Sequence, residues 1–144
     1  MRYLGLDLGS KTLGVSISDR NALIANGYKT IQYKSEDYDI LIEELKKILD
    51  NESISLIVLG FPKNMNNSLG ERANKTIQFK DKIESNLNIK VILEDERWTT
   101  MQAERMLIEA DLSRKKRKKQ IDKLAATIIL QSYLDKNRKG EKNE

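Results

Sequence analysis

Three acidic stretches that lie far apart in the chain carry the residue types best suited to catalysis. Asp7 alternates with leucines at positions 4, 6 and 8 in a strand-like pattern, which places it on the opposite face from them. The acidic run 94–96 ends a short apolar segment, and Asp122 precedes Ala125 and Ala126, small residues on one side of a late helical stretch. A carboxylate in a core strand is costly unless something pairs with it. Carboxylates that meet on one sheet face are suitable ligands for Mg²⁺ or Mn²⁺.

The chemistry is further limited by the residues that the chain lacks. It has 144 residues and contains neither histidine nor cysteine, which removes the commonest general base, the thiolate nucleophile and the usual transition-metal ligands. Two hard metal ions about 3.5–4 Å apart can activate water and stabilise the leaving oxygen of a phosphodiester without any histidine. The alternatives are structural: a hydrogen-bonded Asp7, a solvated strand end at 94–96, and a salt bridge from Asp122 to the basic residues nearby.

A concentrated basic block precedes Asp122. The net charge is +4, and residues 114–119 read RKKRKK; removing these six from the 26 basic residues leaves 20 against 22 acidic ones. Such a block at the start of a helix opposes the helix dipole. This favours a polyanionic partner over a merely solvated charge run.

The elements that must position these residues follow a regular order. Three short strands separated by turns predict an antiparallel meander, followed by helices that alternate with apolar strands. Strands are predicted at about 3–8, 13–18, 27–33, 55–60 and 90–96, and helices after residues 35–37 and at about 69–86, 100–110 and 118–135. This order predicts an α/β fold with a mixed five-stranded sheet flanked by helices.

We expect a single soluble, cytoplasmic domain over residues 1–144, with a flexible tail from about residue 137. The longest late uncharged run, 124–134, has 11 residues, whereas a membrane-spanning helix needs about 20. We expect no membrane partner and no signal peptide, and the absence of cysteine fits a reducing compartment.

Four segments together resemble one known family. They are GLDLGSKTLGVSISD (5–19), VLGFPKNMNNSLGERA (58–73), EDERWTT (94–100) and RKKRKKQIDKLAATIILQSYL (114–134). In this order they look like the YqgF family, also called RuvX. That resemblance implies a ribonuclease H-like fold and a metal-dependent nuclease that processes the 5′ end of pre-16S ribosomal RNA. Holliday-junction resolution is the alternative activity.

The resemblance also implies roles for individual residues. Asp7, Glu96 and Asp122 are expected to be the catalytic metal ligands for Mg²⁺ or Mn²⁺, with Asp95 as the alternative to Glu96. Gly5 and Gly9 lie two residues either side of Asp7, and from this spacing they are expected to leave room beside it for an ion and a phosphate. The residues expected to contact the nucleic acid are Lys11, Asn64, Arg97, Arg114, Lys115, Lys116, Arg117 and Lys118. Lys11 is equally explained by simple solvent exposure, and Arg97 by a contact with a carboxylate.

Two other functions remain open at this level. DLGSKTLG (6–13) also resembles the first phosphate loop of actin-like and sugar-kinase ATPases, but those proteins use two such domains. A non-catalytic RNA-binding factor that assembles ribosome precursor particles is the second alternative. Metal-dependent cleavage by the purified protein distinguishes the nuclease from both, and the sequence leaves the oligomeric state open.

Overall fold

The computed structural model describes residues 2–34, 36–62, 70–95 and 114–142, with side chains in the last segment described for 123–137. The strands are β1 (Arg2–Leu8), β2 (Thr12–Ser18), β3 (Ala25–Gln32), β4 (Ile54–Phe61) and β5 (Val91–Asp95), and the helices are α1 (Tyr38–Asn51), α2 (Glu71–Leu87) and α3 (Arg114–Lys142). The predicted helix at 100–110 lies outside the described residues. Within them, no helix is both long and apolar enough to cross a bilayer.

The five strands form one sheet in the order β3-β2-β1-β4-β5. β1 is central, antiparallel to β2 and parallel to β4, and β2–β3 and β4–β5 continue these two arrangements outward. The predicted mixed sheet with flanking helices is therefore confirmed. The apolar run of β4 is buried on both faces, as expected for a strand between two parallel neighbours.

The two faces of the sheet are covered by different helices. The leucines of β1 at positions 4, 6 and 8 share one core with buried residues of α1 and α2, among them Leu41, Leu45 and Phe79. On the other face, Val58 packs with Ile129, Leu130 and Leu134 of α3. Because side chains alternate along a strand, Gly5 and Asp7 lie on the α3 face.

The last helix is longer than the sequence pattern predicts. It begins at Arg114 rather than near residue 118 and ends at Lys142 rather than near 135. Lysine and arginine have high helix propensity, so a run of charges does not interrupt a helix as it interrupts an apolar pattern. The basic block therefore occupies the first residues of α3. The predicted flexibility of the tail stays a prediction.

The closest approach of α3 to the sheet is at Gly5. A Cβ atom at this position would lie 2.7 Å from the Leu130 Cβ and 2.9 Å from the Ala126 carbonyl oxygen, and would also collide with the Ser16 hydroxyl. The Ser16 Oγ donates a buried hydrogen bond of 2.7 Å to the same Ala126 carbonyl. Gly5 therefore admits the helix itself. The expectation that it leaves space for an ion is wrong, because α3 fills that space.

We predict that Gly5→Ala destabilises the protein by at least about 2 kcal/mol, because an added methyl group in a packed interior forces backbone shifts. Gly27→Ala in β3 is the matched control. Its Cβ would lie 3.5 Å from the Lys123 Cβ, an ordinary contact, so replacing a strand glycine there should raise stability by about 0.5 kcal/mol. Urea unfolding of both variants measures the difference, and equal midpoints would contradict the close packing described here.

Candidate active site

Asp7 is a buried carboxylate with an unsatisfied oxygen. It lies on the central strand and is only 5% exposed. Its Oδ1 has no hydrogen-bond partner among the described residues. Its neighbour on β2 is Gly14, which has no side chain that could contact the Asp7 carboxylate. A buried anionic oxygen without a hydrogen bond is costly, so this atom is available to an additional ligand.

Arg72 supplies a positive charge near Asp7. Its guanidinium lies 3.7 Å from the Asp7 Oδ1, an ion-pair distance that is too long for a hydrogen bond. The same NH2 group donates to the Leu8 carbonyl at 3.2 Å. Arg72 belongs to the first turn of α2, beyond the end of β1. Arg72 was not among the predicted site residues. A general rule could have indicated it, because ligands in open α/β sheets bind beyond the carboxyl ends of the strands, where α2 begins.

The packing of α3 brings the backbone of Asp122 toward the Asp7 face. Asp122 is four residues before Ala126, whose carbonyl lies against Gly5 and Ser16. Residues four apart share one helix face and are separated by about 6 Å along the axis. The backbone of Asp122 is thus one helical turn from the contact beside Asp7, and its side chain lies outside the described part of α3.

The acidic run at the end of β5 divides between the two faces. Glu94 is 6% exposed, and the Lys136 ammonium in α3 donates to both of its carboxylate oxygens, at 2.8 and 2.9 Å. Asp95 follows Glu94, so strand alternation places it on the opposite face from Glu94. The sequence alone did not predict the Glu94–Lys136 pair, because its partners are 42 residues apart. Glu96 lies outside the described residues.

The loop after β1 is held in place by Tyr33. The Tyr33 hydroxyl donates to the Gly9 carbonyl, and the Tyr33 amide donates to the Lys11 carbonyl at 2.9 Å. The Gly9 amide donates to the Thr12 carbonyl at 2.8 Å. Burial is the main cause that raises the pKa of Tyr33 to about 12, and the nearby Tyr38 is a smaller cause in the same direction. The charge of Arg72 opposes this shift. The phenol therefore stays protonated as a donor, and Lys11 projects from a fixed backbone with its side chain exposed.

A cleft of about 550 Å³ opens beside this loop. It lies between the end of β1, the segment before α1 and the first turn of α2. Its lining consists of Leu8, Gly9, Ser10, Tyr33, Glu36, Tyr38, Glu71, Arg72 and Lys75. Lys75 is paired with Glu36 at 3.5 Å and with Glu71 at 3.3 Å. Arg72, by contrast, lines the cleft and also lies at ion-pair distance from the Asp7 carboxylate.

The structure describes the predicted site only in part. Among the described side chains, no three acidic groups lie close enough to form a metal site, and Glu96 and the Asp122 side chain are outside that part. Asn64 and Arg97 also lie outside the described residues. For the five predicted basic contacts, Arg114 to Lys118, the structure gives the helical backbone alone.

Sequence comparison finds similar proteins over nearly the whole chain. The family model described as "RuvX: Holliday junction resolvase" matches residues 1–136. A Geobacillus kaustophilus protein named "Putative pre-16S rRNA nuclease" is 53% identical over 138 residues, covering 96% of this chain and 100% of that protein. A Clostridium botulinum protein of the same name is 53% identical over 135 residues, covering 94% and 97%.

Structural comparison finds the same fold in two resolvases. RuvC of Thermus thermophilus has a TM-score of 0.56 and 13% identity, covering 96% of each chain. The fowlpox virus resolvase, in a complex with Holliday junction DNA, has a TM-score of 0.57 and 16% identity, covering 94% of this chain and 98% of its own. At these identities the likeness shows the fold alone, which is the predicted ribonuclease H-like fold.

We predict that Tyr33→Phe lowers the free energy of unfolding by about 0.5–1.5 kcal/mol, because the Gly9 carbonyl loses its side-chain donor. The pKa of Tyr33 is about 12 in the folded protein and about 10 when unfolded. The advantage of the wild type over the variant should be complete below pH 10 and should decrease as the pH rises toward 12. Urea unfolding at pH 8 and pH 11 measures it. An advantage that does not change with pH would show that the buried phenol does not resist ionisation.

Proposed function

Since the chain belongs to the RuvX family, we propose that it is a nuclease whose hydrolysis of phosphodiester bonds depends on Mg²⁺ or Mn²⁺ held by Asp7, Glu96 and Asp122. Its assignment as a nuclease follows from relatives that share 53% of its sequence over almost their full length. The observation that carries the metal proposal is the buried Asp7 oxygen without a hydrogen bond.

The donor set fits a hard metal ion. Asp7 offers an anionic oxygen on a rigid central strand, and oxygen is the ligand that Mg²⁺ and Mn²⁺ prefer. The contact of α3 with Gly5 supports Asp122 as a second ligand, because it holds the helix against the face that carries Asp7. When bound, the metal would supply Lewis-acid activation of water and stabilisation of the leaving oxygen.

Strand alternation favours Glu96 over Asp95 as the third ligand. Glu94 faces α3, as its bond to Lys136 requires, and Asp95 belongs to the opposite face. Glu96 is two residues beyond Glu94, the spacing that returns a side chain to the same face wherever extended backbone continues. Glu94 is less suitable, because the Lys136 ammonium already satisfies both of its oxygens.

The basic residues are suited to holding the nucleic acid. Lys11 projects from a loop whose backbone is held by Tyr33, so a phosphate bound there would lie within reach of its exposed ammonium group. The block 114–119 begins α3, where the helix dipole adds positive potential to six positive side chains. Such contacts with phosphates give affinity with little sequence preference. We also assign Asn64 and Arg97 to substrate contact, on the resemblance alone.

We propose pre-16S ribosomal RNA as the substrate, with cleavage at its 5′ end. The support is the name borne by relatives at 53% identity. Such an enzyme would act on ribosome precursor particles in the cytoplasm. A four-way DNA junction is the second candidate, because the matching family model is described as a Holliday junction resolvase.

We predict that Asp7→Asn and Asp122→Asn each reduce cleavage by at least about 100-fold, since even residues that only orient metal ligands cost 10- to 100-fold when replaced. Both variants should also lose most of the rise in thermal midpoint that Mn²⁺ gives the wild type, because a metal bound to the folded state stabilises it by mass action. Asp95→Asn is the matched control and should keep both properties. Excess EDTA should abolish wild-type activity.

The assays should use an RNA that carries the pre-16S 5′ end and a four-way DNA junction in parallel. Asp7→Asn protein purified in the same way controls for contaminating nuclease. Cleavage of the RNA supports the proposal, and cleavage of the junction alone would favour the second candidate. Full activity of a folded Asp7→Asn protein would exclude the metal site.

A further inference from the structure

Asp7 and Glu94 are buried carboxylates on the same sheet face, but the positively charged side chains beside them make different contacts. The Lys136 ammonium forms two short hydrogen bonds to Glu94. The Arg72 guanidinium lies 3.7 Å from Asp7, at ion-pair distance, and donates a hydrogen bond to the Leu8 carbonyl. The first arrangement satisfies its carboxylate, whereas the second leaves an oxygen without a donor. Arg72 therefore provides charge balance for Asp7 without closing the site.

Arg72 is also placed to leave Asp7. Its side chain is 54% exposed while that of Asp7 is almost fully buried, so the guanidinium has space on the solvent side. Arg72 lines the cleft beside the loop after β1. A guanidinium binds phosphate through paired donors, a geometry suited to a nucleic-acid backbone.

We propose that Arg72 exchanges its counter-charge: it balances Asp7 in the metal-free protein and binds a phosphate of the substrate strand at the mouth of the cleft once a divalent cation occupies Asp7. This inference rests on the proposed metal-dependent nuclease. Two cations that share one carboxylate compete, so Arg72 lowers the affinity of Asp7 for the metal. The bound metal in turn weakens the attraction between Asp7 and Arg72 and favours the contact of Arg72 with the substrate, so that the metal and the nucleic acid bind cooperatively.

Lys75 provides the matched control. It lies one helical turn after Arg72, lines the same cleft and carries the same charge. Its partners are Glu36 and Glu71, and the structure records no contact between it and Asp7. Replacing Lys75 therefore removes a cleft cation without removing the charge beside Asp7.

The first test titrates Mn²⁺ by calorimetry without nucleic acid. Arg72→Gln should bind Mn²⁺ about three- to ten-fold more tightly than wild type, the effect of removing one competing charge near the surface. Lys75→Gln and the charge-conserving Arg72→Lys should remain within about two-fold of wild type. Unchanged or weaker Mn²⁺ binding by a folded Arg72→Gln protein would overturn the proposal.

The second test measures the salt dependence of binding to a short RNA in Ca²⁺, after confirming that this ion supports no cleavage. Loss of one phosphate contact should reduce the log–log slope of Arg72→Gln by about 0.7–0.9, and Lys75→Gln should keep the wild-type slope. An unchanged slope for Arg72→Gln would overturn the phosphate contact. If Asp7→Asn binds Mn²⁺ as tightly as wild type, the proposed metal site itself fails. If Asp7→Asn loses Mn²⁺ while Arg72→Gln behaves as wild type, this inference alone fails.

Discussion

The close contact between α3 and the central strand is the constraint on which the rest of the site depends. Gly5 has no side chain, and the Ala126 carbonyl and Leu130 occupy the space that a Cβ would need. The buried Ser16–Ala126 hydrogen bond fixes the helix along and across the sheet. Because helical residues four apart share a face, this one contact also sets where Asp122 enters the fold. It joins residues separated by more than 100 positions in the sequence.

The same contact determines the electrostatics of the sheet face. By covering the sheet, α3 removes water from Glu94 and supplies Lys136 as its partner. Asp7 lies at the same end of this face, with β4 between it and Glu94, and no lysine of α3 approaches it among the described side chains. The negative charge of Asp7 is balanced by Arg72 of α2, which lies at ion-pair distance. One carboxylate is thus committed to structure, and the other keeps an oxygen available. This difference in hydrogen bonding between the two carboxylates is the physical basis of the proposal that a metal ion binds at Asp7.

The sequence predicted the architecture well because the fold follows from local patterns. Alternation in 3–8 and 13–18, the apolar run 55–60 and the helical stripe of Leu41 and Leu45 each specify one element and its buried face. The position of Asp7 opposite the leucines of β1 followed from the same alternation. The limits of α3 were less accurate, because charged residues with high helix propensity carry no apolar period.

The sequence did not predict the contacts between residues that lie far apart in the chain. Neither Arg72 beside Asp7 nor Lys136 beside Glu94 is suggested by spacing, since each pair joins separate elements. The role of Gly5 was misassigned for the same reason: a glycine next to a candidate ligand is equally compatible with space for an ion and with space for a helix. Glu96 and Asp122 were implied by family resemblance, and their participation stays a prediction.

The central claim is that Asp7, Glu96 and Asp122 meet around one metal site on the α3 face of the sheet. Anomalous scattering from crystals grown with Mn²⁺ tests this directly. The account predicts a manganese peak bonded to all three carboxylates, with the Arg72 guanidinium displaced from Asp7. Manganese bound elsewhere, or at Asp7 with the other two carboxylates turned away, would contradict it.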